Sequence, residues 1–239
     1  MTGDNAIVEN LLVDGPVDVQ GSNAIIRNNS IPVNGETWGV GLHHTVNAQI
    51  YNNTIGTPGV TPRLLVGIKD VYGDATGTQV LRNDISNTST GVQTHEGVIA
   101  DNYIHDLGFQ TGDHLNGTTS NGATTMMTIR HNTILNSYGQ TDAISLFQDF
   151  WIEGNRLITD NLIAGGGYTI YGGEGSYGQS FNIVITNNRF SNIFFPASGS
   201  YGPVAHFDSS GPGNILSGNY WDDTLAATGS ARTAAASRR

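Results

Sequence analysis

The strongest constraint on this chain is a phrase that recurs along it: an apolar residue, two variable positions, an asparagine, one more residue, and another apolar residue. The copies run Ile7-Asn10-Leu12, Ile26-Asn29-Ile31, Ile50-Asn53-Ile55, Val80-Asn83-Ile85 and Ile99-Asn102-Ile104. Four more follow at Ile129-Asn132-Ile134, Ile158-Asn161-Ile163, Ile185-Asn188-Phe190 and Leu216-Asn219-Trp221. Their asparagines are 19, 24, 30, 19, 30, 29, 27 and 31 residues apart. An uneven period in this range is the signature of a solenoid whose turns carry loops of different length. Apolar residues alternate around a polar one, which is the period of a strand and not of a helix. With 32 glycines and many Asn, Thr and Ser between copies, long helices are excluded.

One such strand cannot bury its apolar face alone. Stacking successive copies about 4.8 Å apart closes those faces into a continuous core. The recurring Asn then falls at one corner of every rung, where its amide donates to and accepts from its neighbours. These residues resemble the right-handed parallel β-helix proteins, the pectate-lyase-like group with its asparagine ladder. The expected fold is therefore all-β: a single-stranded parallel β-helix of about nine rungs over residues 1–224, roughly 40 Å long. Residues 225–239, small and polar with three Arg, are expected to be a disordered tail. Because a rung begins almost at Met1, the chain reads as the C-terminal part of a longer protein.

Composition narrows the partners. A net charge of −10 argues against nucleic acid. No apolar run approaches a membrane span, and residues 1–20 lack the pattern of a signal peptide. There is no cysteine, so disulfides and thiolate metal sites are excluded. What the resemblance implies is a secreted protein acting on a polysaccharide along an extended groove.

Between ladder copies lies a second apolar alternation, aligned on Leu42, Ile68, Val92, Leu115, Ile144, Ile170 and Ala205 or Phe207. The next residue of each stretch should point outward. That column reads His43, Lys69, Gln93, Asn116, Ser145, Tyr171 and His206, and the column just before it reads Gly41, Gly67, Gly91, His114, Ala143 and Thr169. Lys69 is the only lysine, and His43, His95, His114 and His206 are four of the seven histidines. Of the aromatics outside the repeat, Phe194 and Phe195 are read as sealing the coil and Tyr201 as contacting ligand. Trp38 suits either role, and Phe150 with Trp151 is read as packing.

The family's chemistry on uronic-acid polymers is lysis or epimerisation by proton abstraction beside a carboxylate. Lys69 or His95 is the expected base, Tyr171 or His114 the donor. His43, Gln93, Asn116, Ser145, Tyr201 and His206 are expected to position the sugar. A Ca²⁺ ion on Asp70, Glu96, Asp113 or Asp142 is a further expectation. A hydrolase would need paired carboxylates from Glu96, Asp113, Asp142 and Asp208. His114-Leu-Asn-Gly117 resembles an Asn-Thr-Asp-Gly motif but has Asn116 at the acid's place. The only Asp pair, Asp222-Asp223, follows the last ladder copy, and no Arg-x-Pro-x-x-Arg occurs. A non-catalytic adhesin-like or tailspike-like glycan binder remains the alternative.

Overall fold

In a computed structural model the chain is described over residues 1–222. The 225–239 segment and the second member of the Asp222-Asp223 pair lie outside the described residues. Among the described residues the fold is all-β with no helix, a solenoid of about eight turns built from three parallel sheets. Sheet A has nine strands, from Ile7–Glu9 to Ile215–Ser217; sheet B has eight, from Ser30–Ile31 to Tyr220–Trp221. Sheet C also has eight: Val17–Val19, Gly35–Leu42, Leu64–Asp70, Thr88–Gln93, Asn116–Ser120, Asp142–Leu146, Tyr168–Gly172 and Gly202–Ala205.

The repeat sets the register directly. Ile26 pairs with Ile50 and Ile50 with Val80 in sheet A, while Ile55, Ile85, Ile104 and Ile134 pair in sheet B. These side chains are almost wholly inaccessible and form one core along the stack. Burying each aliphatic side chain contributes about 1.5–3 kcal/mol, which sets stacked rungs well ahead of an isolated one.

The ladder is continuous from Asn29 to Asn219. Each Nδ2 donates to the next Oδ1, through Asn53, Asn83, Asn102, Asn132, Asn161 and Asn188, at 2.9–3.0 Å. Backbone N–H groups donate to the same oxygens, so a corner cut off from water has its donors and acceptors paired.

One detail corrects the sequence reading. The left-handed residue is the one before the ladder Asn: Asn28, Asn52, Arg82, Asp101, His131, Asp160 and Asn187 have φ of 53–60°. Asn10, at φ 58°, belongs to that column, because Val8 pairs with Ile26. Leu11 therefore occupies the ladder position of the first rung, where only its N–H reaches Asn29 Oδ1, at 3.1 Å.

Candidate functional site

Sheet C carries the polar face, and its shape comes from glycine. Gly39, Gly67, Gly91 and Gly117 follow one another up the stack, and a Cβ on any of them would come within 2.8 Å of an isoleucine Cγ2 of sheet B. The next residue of each strand (Val40, Ile68, Val92, Thr118) is also in the interior. Two successive inward residues fold every strand at this line and break the simple alternation. The residues on either side of the fold point away from the core and converge on one another, which leaves Val66, Thr90, Asn116 and Thr119 only 5–8% exposed and Asp142 and Ser145 inaccessible. One outer column runs Trp38, Val66, Thr90, Asn116 and Asp142; the other runs Asp18, Gly41, Lys69, Gln93, Thr119, Ser145, Tyr171 and Ala205. Together they form a trough along the stack.

Its first end is built around Asp18. Trp38 Nε1 donates to Asp18 Oδ1 at 2.7 Å, and His43 Nε2 lies 2.9 Å from the same oxygen. Burial opposes ionisation of Asp18, but the bonds from His43 and Trp38 outweigh it and hold the carboxyl below its ordinary value. Lys69 Nζ sits 5.7 Å from the Trp38 ring, within cation–π range. Tyr72 meets His43 edge-on at 5.6 Å and stacks on His44 at 4.4 Å.

The middle of the trough is uncharged. Asn116 Nδ2 donates to Thr90 Oγ1 at 3.4 Å, with Gln93 and Thr119 alongside. At the far end Tyr171 contacts Phe147 at 5.2 Å, Tyr168 at 5.7 Å and His206 at 5.5 Å, and Tyr168 meets Tyr201 at 5.8 Å. Next to these tyrosines lies Asp142, fully buried. Burial pushes its carboxyl well above the usual range. The Ser145 Oγ–H bonds are directed at Thr118 O (3.3 Å) and Asn116 Oδ1 (3.5 Å), so neither Asp142 oxygen receives a hydrogen bond. Burial also raises the Tyr171 phenol, reinforced by Asp142, Tyr168 and Tyr201.

The structure keeps part of the expected column and rearranges the rest. Lys69, Gln93, Ser145 and Tyr171 do share one outer column. Asn116 belongs to the other, and Thr119 takes its place. His43, His95 and His206 lie past the ends of their strands, in the turns, while the exposed His114 precedes its strand on the opposite edge. His95 is mostly buried beside Asp70, 3.9 Å from its Oδ2, and burial lowers its pKa. Tyr201 is 73% exposed, in keeping with a contact role. Phe194 and Phe195 are half-buried, whereas Phe150 and Trp151 are exposed, which corrects the packing expectation for that pair.

The four proposed Ca²⁺ ligands are not brought together. The Asp70 carboxylate accepts the backbone N–H groups of Gly73, Asp74 and Ala75, although burial still leaves its pKa raised. Glu96 Oε1 accepts the Thr78 N–H at 3.1 Å. Asp113 is paired through both oxygens with Arg63, which lowers its pKa against the effect of burial. Asp142 stands alone under the tyrosines. No cluster of three or more metal-ligating side chains forms among the described residues.

The sequence reading missed Asp18, Thr90, Thr119 and Tyr168 as trough residues. Their signal was present as strand alternation, but the doubled inward step at each glycine shifts it by one. No protein-family model, curated protein or solved structure matches this chain. The solenoid and its trough therefore have to carry the functional argument by themselves.

Proposed function

We propose that the chain is a glycan-binding β-solenoid that holds a polysaccharide along the outer trough of sheet C, and on that reading a protein of the cell exterior. The observation that carries this is the trough's order: Trp38 at one end, Tyr168, Tyr171 and Tyr201 at the other, and uncharged Thr90, Gln93, Asn116 and Thr119 between. Aromatic rings offer apolar faces to sugar rings, and amides and hydroxyls pair with sugar hydroxyls. A repeated face also suits a repeated ligand.

Binding is favoured over elimination because the expected base and donor do not meet. Lys69 and Tyr171 are four rungs apart in one column, roughly 19 Å at the strand spacing. His95 and His114 lie on opposite edges of the sheet. A base and an acid must both reach one reacting centre within hydrogen-bond range. A neutral polymer is favoured over a uronic-acid one, since Lys69 is the only lysine and the chain carries a net charge of −10.

Electrophoresis through gels containing single polysaccharides, neutral and acidic, tests the proposal. The chain should be retarded by at least one neutral polymer, and Trp38→Ala or Tyr171→Ala should each weaken the interaction by about tenfold. No retardation by any polymer, or retardation unchanged in the double variant, would overturn it. Release of an unsaturated, ultraviolet-absorbing product would replace it with the eliminative reading.

A further inference from the structure

A second concavity lies away from the trough, in the turns that lead from sheet B into sheet C. Those turns span 56–63, Asn87 alone, 106–115 and 137–141 on four successive rungs. A one-residue turn between two long ones leaves a hollow of about 580 Å³, within the usual range for small-molecule sites. None of its lining residues belongs to the two columns of the trough.

Its chemistry is specific. Phe109 and Tyr138 stand on its wall with ring centroids 5.7 Å apart, 48% and 37% exposed. The remaining polar lining includes Asn87, Gln110 and Ser137. Arg63, the one cation in the lining, is already paired with two carboxylates: Nε and Nη2 go to Asp113 at 2.8 and 2.5 Å, and Nη1 to Glu36 at 2.7 Å. Nothing cationic is left to attract a phosphate or carboxylate, and the lining carboxylate Asp106 lies 2.8 Å from His105 Nδ1. Gln110 Oε1 is buried without a donor. Gln110 is also held in place, since its N–H donates to Asp113 Oδ2 at 2.7 Å and Asp113 N–H returns to Gln110 O at 3.0 Å. Aromatic faces and uncharged hydrogen-bonding groups fit a neutral polyhydroxylated ring.

We infer that this hollow is a second binding site, for a single neutral sugar or short neutral oligosaccharide, independent of the trough on sheet C. The Arg63–Asp113 pair preorganises it, so little ordering is required on binding.

Nuclear magnetic resonance titration of the full chain tests it, with the methyl glycosides of glucose, galactose, mannose and N-acetylglucosamine as neutral probes and glucuronate and inorganic phosphate as anionic ones. The expected result is saturable movement of the Gln110 side-chain amide and the Ser137 amide with at least one neutral probe and none with the anions. Phe109→Ala and Gln110→Leu should each weaken that response by about tenfold. Trp38→Ala and Tyr171→Ala should leave it unchanged, so failure of the trough proposal and failure of this one are distinguishable. Because Phe109 is exposed, its replacement leaves the core intact. No saturable shift with any neutral probe, an equal response to phosphate, or an undiminished response in Phe109→Ala would overturn the inference.

Discussion

Asp142 places both carboxyl oxygens in the protein without a donor, where burial disfavours its charge. Its proton is therefore held to higher pH in the folded chain than in the unfolded one, where an ordinary Asp titrates near 3.9. Between those two values the folded state binds more protons, so this group lowers stability as pH rises through the window and ceases to do so as pH falls towards about 4. Asp142→Asn keeps the shape and removes the ionisation. Thermal unfolding at pH 7 should show the variant more stable than the parent by about 1 kcal/mol, with the gap closing near pH 4. Comparing variant with parent cancels the opposing contribution of His95, which burial keeps neutral. An equal difference at both pH values would mean that Asp142 does not titrate in this window. Sequence reasoning found Asp142 but gave it a metal. Its isolation depends on burial within the stack beside Tyr171 of the next rung, which no local pattern reveals.

At the scale of the element, the ladder is where sequence and structure agree best, and its one error is instructive. Asn132 Oδ1 accepts both the N–H and the Nδ2 of Asn102, while its own Nδ2 reaches Ile99 O, Arg130 O and Asn161 Oδ1. Asn132→Ala leaves several buried groups unpaired and should cost about 3 kcal/mol or more in denaturant unfolding. Asn10→Ala, at an exposed left-handed position, should cost only about 1 kcal/mol. Similar losses at both sites would remove the ladder's special status. Two neighbouring columns both favour Asn, one for φ and one for the amide, as Asn28-Asn29 and Asn52-Asn53 show. In the first rung only the φ column keeps it, so spacing alone assigned Asn10 to the wrong column. Sheet C failed for a related reason. Counting by twos assumes a straight strand, and the fold at Gly67, Gly91 and Gly117 inserts an extra inward residue. At Gly91 a Cβ would lie 2.5 Å from Gly117 O and 2.7 Å from Ile104 Cγ2, so the close approach that hides the register is also what shapes the trough.

For the whole molecule, each rung touches chiefly the rungs above and below it, so stability is a chain of nearest-neighbour terms. Among the described residues the first rung is paired on one side only and has Leu11 in place of the ladder amide; Ile7, Leu11 and Leu12 are 52%, 54% and 75% exposed. Central rungs, with neighbours on both faces and ladder bonds in both directions, open only when several interfaces break together. Amide hydrogen exchange should therefore be slowest around Ile99 and Ile129 and faster towards Val8 and Leu216. A polysaccharide lying in the trough contacts many rungs at once and links their openings, since a rung that opens gives up its contacts with the polymer. Its addition should slow exchange in the strands Gly35–Leu42 to Tyr168–Gly172 and leave Ile7–Glu9 unchanged. A monosaccharide in the hollow between sheets B and C contacts fewer rungs, and its protection should be confined to the turns around Asn87 and Gln110. Uniform exchange along the free chain would show one cooperative unit and remove the nearest-neighbour picture. Protection confined to a single rung by the polymer would remove the trough as a continuous site.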